Sequence, residues 1–165
     1  MYFQANTVMA SGSDFSVQVR VNTCSALAFT NAVEADFTYP INTLTYVATY
    51  TAKSDFDINA STNGGSGSVN IGRGTSSRRT GDLLVATITF DVIGSGSPIH
   101  AIQNTSALAD ATTSMDILGQ KINGTFTSIV GPLVPVYRMS NSITHERLFT
   151  TSLNERDNAL SHYPG

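Results

Sequence analysis

The sequence predicts an all-β protein, an antiparallel β-sandwich of jelly-roll type with about nine strands and a short C-terminal extension. Apolar and polar residues alternate along most of the chain, which is the pattern of strands that bury one face. Turn signals interrupt this alternation roughly every ten residues, as they do in sandwiches. The composition agrees, because 13 Gly, 19 Ser and 21 Thr beside only two Lys favour strands and turns over surface helices.

Three alternating segments predict the first strands. Residues 15–22 and 32–39 each place apolar side chains on one face and polar side chains on the other. Pro40 and Asn42 then mark a turn, and residues 44–51 resume the alternation.

A hairpin follows in the sequence. A short strand begins at Phe56 and ends at Asn63-Gly64-Gly65-Ser66-Gly67, a run typical of tight hairpin turns. The chain returns as a strand at Val69, and the polar stretch 72–81 is predicted to be a loop.

The remaining segments complete the predicted sandwich. Residues 83–92 form the longest strand, and uninterrupted alternation turns Leu84 and Ala86 inward and Val85 and Thr87 outward. We expect a weaker strand at 99–102, a loop or one turn of helix at 106–113, and a last strand at 122–129.

The length of 165 residues fits one domain with a fragment of a second. We predict a sandwich over residues 1–130 and a stiff linker over 131–135, where two prolines lie close together. Residues 136–165 are too few for a substantial core and are interpreted as a partial second module or a packing tail.

Charge and composition exclude several classes of function. A net charge of −3 and a pI of about 5.4 do not favour nucleic acid as a partner. The chain has no apolar run long enough to span a bilayer as a helix. The single Cys24 excludes an internal disulfide and any multi-thiolate zinc site.

The sequence predicts neither catalytic residues nor a metal site. Glu34 and Asp36 share one strand face, but an open sheet would not separate the pKa values of two carboxyl groups for acid–base work. The three histidines have no metal-ligand spacing. We therefore expect a protein that is not an enzyme and that needs no cofactor of its own.

Three segments of residues 1–130 carry a family pattern: Phe15–Asn22, Asn31–Pro40 followed by Leu44, and Gly81–Phe90. In these segments residues 1–130 resemble a bacterial cohesin domain, and Gly81–Phe90 is similar to the long central strand of that family. It implies a nine-stranded jelly-roll sandwich, outside the cell or on its surface, that docks a dockerin-like or other extracellular protein. Dockerins carry calcium loops, so any calcium is expected on the partner.

The resemblance also implies that docking uses one flat sheet face. Aligned on Tyr39 and Leu44, its polar contact positions fall on Ala32 and Glu34. The residues that we predict to contact the partner are Arg20, Glu34, Asp36, Val47, Val85 and Thr87.

Two alternatives remain open. A carbohydrate-binding module would use Tyr46 and Tyr50, which alternation places on one strand face, roughly 13 Å apart, to stack on sugar rings of a polysaccharide. The other alternative is a structural spacer in a surface protein.

The tail contains a second pattern, formed by Tyr137-Arg138, His145, Phe149-Thr150-Thr151 and Glu155-Arg156. In this pattern it is similar to the start of a short repeat module of secreted bacterial proteins. It implies an extracellular location rather than an activity.

Overall fold

A computed structural model of the chain describes residues 1–5, 8–10, 12–24, 28–129, 136–140 and 147–162. The chain divides into two compact units, Met1–Val130 and Gly131–Gly165. The linker predicted at 131–135 lies outside the described residues.

Two antiparallel sheets form the first unit, and the predicted β-sandwich is confirmed. The strands of the first sheet, in spatial order, are β1 (Tyr2–Ala5), β3 (Asp14–Asn22), β8 (Asp82–Val92) and β5 (Leu44–Tyr50). Those of the second are β11 (Gly124–Thr125), β9 (Ile99–Ile102), β4 (Thr30–Thr38), β7 (Ser68–Arg79) and β6 (Ile58–Gly65), with β10 (Ala107–Asp110) also paired to β4. A parallel pair, β2 (Val8–Ala10) and β12 (Thr127–Ile129), completes the strands described in this unit.

The core lies between the inner faces of the two sheets. Strand β3 from Phe15 and strand β4 from Val33 bury every second residue, as the alternation predicted. The largest fully buried side chains include Phe37 of β4 and Phe90 of β8. Rings of opposite sheets touch, since Tyr39, just after β4, lies 4.9 Å between centroids from Phe90. Burial of these alternating apolar residues supplies the main free energy that holds the sheets together.

The second sheet is larger than predicted. The expected loop at 72–81 is wrong for most of its length, because β7 continues to Arg79 and pairs with both β4 and β6. Glycines suggested a loop, but Gly72 is buried in the strand, and a Cβ there would lie 2.6 Å from the hydroxyl of Ser61. The segment 106–113 is also not a helical turn, since β10 pairs with β4.

The second unit contains a hairpin and a helix. Strands β13 (Tyr137–Ser140) and β14 (Arg147–Thr150) pair, and α1 (Leu153–His162) follows. Ser152 caps the helix, because its hydroxyl accepts a bond from the backbone N–H of Glu155 at 3.3 Å. The Arg156 guanidinium lies 4.7 Å from the ring centre of Tyr137. His145, part of the predicted repeat pattern, lies outside the described residues.

Within the described part of the chain, no helix has the length and apolar character needed to cross a membrane.

Candidate functional site

The predicted partner-binding residues do not form one surface. Glu34 and Asp36 lie on the outer face of the second sheet, on β4. Arg20 and Thr87 lie on the outer face of the first sheet, at the opposite side of the sandwich. Val47, 46% exposed, belongs to β5 of that first sheet. The prediction of a single contact set is therefore wrong, because alternation assigns a side chain to one face of its strand but does not say which sheet the strand joins.

Val85 cannot contact a partner, since its side chain is fully buried. The register between β3 and β8 shifts there: Val19 pairs with Ala86, but Arg20 pairs with Leu84. Val85 is thus the extra residue of a β-bulge, and it turns inward while Leu84 turns outward. Val85 was predicted to point outward because strict alternation was assumed, and an extra residue within a run of apolar residues cannot be recognised from the sequence.

A second bulge separates the two tyrosines of the predicted sugar-binding strip. Tyr46 pairs with the buried Phe90, whereas Tyr50 pairs with the outward Thr87, because Val47 is an extra residue in β5. Tyr46 packs against the core and its hydroxyl lies 3.0 Å from that of Thr49. The two rings therefore face opposite sides of the strand, and the prediction that they share one face is wrong.

The outer face of the second sheet, here named the β4 face, is built from small side chains. Its cross-strand rows bring together Ala109, Ala32 and Gly74, then Ala107, Glu34, Gly72 and Ser61, then Asp36, Asn70 and Asn63. Four strands span about 14 Å across this surface. Because most of these residues are Ala, Gly or Ser, few side chains rise above the sheet and the β4 face is flat. The exposed Ile58 lies at its β6 edge.

A hydrogen-bonded cluster occupies the centre of the β4 face. The Asn70 side-chain amide donates to Glu34 Oε1 at 2.5 Å and also to the carboxylate of Asp36. The Ser61 hydroxyl donates to Asn70 Oδ1 at 2.9 Å and accepts the backbone N–H of Gly72 at 2.9 Å. One amide therefore holds two half-buried carboxylates side by side, with their remaining oxygens available to a partner.

The edge of the β4 face beside Asp36 is fastened by residues that the sequence did not single out. The Ser106 hydroxyl accepts a bond from the backbone N–H of Asp36 and donates to its carbonyl, both at 2.9 Å. The Gln103 N–H also donates to the Asp36 carbonyl at 2.8 Å. The Ser106 hydroxyl thus bonds both the N–H and the C=O of Asp36, in place of a neighbouring strand. The sequence could not predict this role, because a single Ser has no pattern that indicates it.

The outer face of the first sheet carries a different network. Asp82 accepts hydrogen bonds from Arg20 Nε at 3.1 Å and from the Tyr2 hydroxyl at 2.7 Å. Burial would raise the pKa of the Asp82 carboxyl, but these two bonds outweigh it and the pKa is lowered. Arg20 also donates to Gln18, so its guanidinium is engaged within its own sheet.

Arg73 lies in the interior and not in the polar loop predicted at 72–81. It is 5% exposed, and Nε and Nη2 donate to the Phe56 carbonyl at 3.1 and 2.5 Å while Nη1 donates to Asn59 Oδ1 at 3.1 Å. The residue therefore ties β7 to the segment that leads into β6.

The described residues contain no group of three or more His, Cys, Asp or Glu side chains that could hold a metal ion. Glu34 and Asp36, the carboxylate pair considered in the sequence analysis, both belong to the β4 face. They lie on an open sheet and not in a cleft.

Two packed antiparallel sheets with a flat, small-residue outer face place the chain in the class of β-sandwich modules. No family model matches the sequence, and no curated protein matches it. Solved structures do match, and cohesins are among them. A non-cellulosomal cohesin from the hyperthermophilic archaeon Archaeoglobus fulgidus is 23% identical with a TM-score of 0.59, over 76% of this chain and 88% of that one.

Two further cohesins give the same result. The sixth cohesin of scaffoldin B from Acetivibrio cellulolyticus, solved in complex with a dockerin, is 15% identical with a TM-score of 0.64, over 78% and 96% of the two chains. A cohesin module of a family 33 glycoside hydrolase from Clostridium perfringens is 10% identical with a TM-score of 0.64, over 78% and 95%. The first unit has the cohesin fold, and the resemblance seen in the sequence is confirmed at that level.

Proposed function

We propose that the first unit is a non-catalytic protein-binding module that docks a dockerin-like partner on the β4 face. The observation that carries the proposal is the flat β4 face, with its Asn70-held carboxylates, in a domain of cohesin fold. The cohesin of scaffoldin B, which shares this fold, was solved with a dockerin bound.

The shape of the β4 face suits a partner that lays a helix or another flat surface across it. Ala32, Ala107 and Gly74 keep the backbone close to the surface, so a partner can approach without meeting long side chains. Desolvation of these small residues together with the exposed Ile58 would supply apolar contact area.

The carboxylates give this surface its polar specificity. Glu34 and Asp36 are held in place by Asn70 before any partner arrives, so little side-chain entropy is lost when they accept hydrogen bonds. A partner with a hydroxyl or a cationic side chain at the matching position would complete the cluster. On the outer face of the first sheet, Arg20 already donates hydrogen bonds to Asp82 and Gln18 of its own sheet, so that face is the poorer candidate for partner binding.

We also propose that the module acts outside the cell and that calcium belongs to the partner. The cohesins that share the fold include scaffoldin modules. The assignment of calcium to the partner follows from the resemblance to cohesins, and the calorimetry described below, run with calcium and after chelation, tests it.

The decisive test places the same bulky side chain on either face. Ala32→Arg, in the β4 face, should weaken binding of a cognate dockerin by at least 100-fold, because a long cationic side chain would hold the partner off the flat surface. Thr87→Arg, on the outer face of the first sheet, should change affinity by less than about twofold. Isothermal titration calorimetry against dockerins encoded in the same genome, with calcium and after chelation, measures both.

Thermal melts of the two variants serve as the control for folding. Equal losses of affinity in both variants, or unchanged binding by Ala32→Arg, would contradict docking on the β4 face. Retention of the domain by a polysaccharide in affinity electrophoresis, with no dockerin bound, would contradict the proposed class of partner.

A further inference from the structure

His100 is buried at the centre of the sandwich. It lies on β9, and its side chain is fully inaccessible to solvent. The centroid of the imidazole lies between 4.9 and 6.4 Å from those of five rings, Phe3, Phe15, Phe37, Phe90 and Phe126. Neither ring nitrogen has a hydrogen-bond partner among the described residues.

The surroundings of His100 carry no charge that would favour a protonated ring. The five phenylalanines come from β1, β3, β4, β8 and the residue between β11 and β12, and burial is the one cause that lowers the pKa of His100, with no charged group acting on it. A neutral imidazole is tolerated there, whereas an imidazolium would lose its hydration without gaining a counter-ion.

The strand that carries His100 is weakly anchored. β9 has four residues, and its register with β4 consists of Ile102 opposite Phe37 and Ala101 opposite Thr38. On its other side it pairs with the two-residue β11. Exposing the imidazole to water requires loss of a few backbone hydrogen bonds and of the burial of His100 and Ile102, but far fewer backbone hydrogen bonds than unfolding of the long strands β3 and β8.

β9 leads directly into the edge of the β4 face. Gln103, the residue after the strand, donates its N–H to the Asp36 carbonyl at 2.8 Å. Ser106, which satisfies both backbone groups of Asp36, belongs to the same connection from β9 to β10.

We propose that protonation of His100 releases β9 from the sandwich and so unfastens the edge of the β4 face beside Asp36. The domain is thereby an acid-sensitive module, in which mild acidification loosens the surface that docks the partner. The link to docking rests on the proposed function, whereas the release of β9 does not.

The direction of the pH dependence follows from burial. Desolvation lowers the pKa of His100 from 6.5 to about 4 in the folded domain. Above pH 6.5 the ring is neutral in both the closed and the open state, so pH has no effect through it. Between pH 6.5 and pH 4 only the open state takes up the proton, so the closed state loses stability as the pH falls.

The expected size of this effect follows from the same two pKa values. The population with β9 open should rise about 30-fold between pH 7.5 and pH 5, and should level off near 300-fold below pH 4. Other carboxyl groups whose pKa is lowered, those of Asp57, Asp82, Asp110 and Asp116, also weaken the fold in acid. A variant that differs only at position 100 keeps these four carboxyl groups, so the difference between its pH profile and that of the wild type reports the effect of His100 alone.

Residue-resolved hydrogen exchange on the full chain tests the proposal without any partner. After correction for intrinsic rates, protection of the Gln103 amide should fall about 30-fold between pH 7.5 and pH 5 in the wild type and should stay constant within a few-fold in His100→Leu. The amide of Val17 in β3 exchanges when the whole sandwich unfolds, a state that also exposes His100, so its protection should fall with pH as well. At each pH, however, it should stay far better protected than the Gln103 amide, because opening of β9 alone costs less than global unfolding. His100→Met provides a second neutral side chain if the leucine variant does not fold.

Parallel pH profiles for Gln103 in the wild type and the leucine variant would overturn the proposal. Equal protection factors for Gln103 and Val17 at each pH would overturn the release of β9 as a separate step, because both amides would then exchange only by global unfolding. NMR titration of the imidazole in the folded protein gives an independent check, because a midpoint near pH 6.5 would show that the ring reaches solvent and would overturn the proposal as well.

Discussion

Replacing Arg73 with alanine should lower the free energy of unfolding by about 3 kcal/mol. The guanidinium donates to the Phe56 carbonyl and to the Asn59 side chain from a position that is almost fully buried. Removal of the side chain leaves that carbonyl without its donors in the interior, and it also removes the apolar stem that packs between the sheets.

Urea denaturation followed by circular dichroism measures this effect, with two variants for comparison. Arg73→Met keeps most of the stem and should recover part of the loss, about 1 kcal/mol. Arg78→Ala, at an exposed position of the same strand, should change stability by no more than about 0.5 kcal/mol. A loss at Arg73 no greater than that at Arg78 would show that the buried hydrogen bonds do not stabilise the fold.

Replacing Phe90 with alanine should be at least as damaging, with an expected loss of about 4 kcal/mol. Phe90 is fully buried near the end of the long strand β8, and its ring contacts Tyr39, Tyr46 and His100. The truncation therefore opens a cavity where the two sheets and the edge strand β5 meet, and large side chains on three sides limit how far the structure can collapse into it.

The graded variant Phe90→Leu keeps most of the volume and should lose no more than about 1.5 kcal/mol. Both values come from chemical denaturation at constant pH, well above the range in which His100 takes up a proton. If alanine and leucine destabilised the domain equally, the cavity would not be the cause, and the contribution of Phe90 would lie in its ring contacts instead.

The sandwich could be predicted because its strands bury one face each. The alternation of apolar and polar residues in β3 and β4 predicts that Phe15, Val17 and Val33 are interior residues, and all three are buried. The extent of β7 could not be predicted in the same way, because Gly72 and Gly74 are local signals for a loop. Pairing with strands on both sides outweighs that local preference, and such pairing depends on residues that are distant in the sequence.

The candidate site was harder to predict than the fold. Glu34 and Asp36 were recognised, but Asn70, which joins them, lies 34 positions away from Asp36 in sequence. Arg20 and Thr87 were assigned to the same surface as Glu34 and Asp36, because all four lie on polar strand faces. Only the strand order shows that the face carrying Arg20 and Thr87 belongs to the other sheet. Val85 was misplaced for a third reason, since an added residue in a strand is visible only in its pairing.

The bulge at Val47 has a further consequence for how the molecule behaves in concentrated solution. β5 is the last strand of its sheet, and it exposes Val47 and Tyr50, which are 46% and 58% accessible. A regular edge strand with exposed apolar side chains is a template onto which a second molecule can add a strand. The extra residue disturbs the even spacing of N–H and C=O groups along β5, so an incoming strand cannot pair along its whole length. The same irregularity that turns the two tyrosines apart therefore protects the domain against edge-to-edge aggregation.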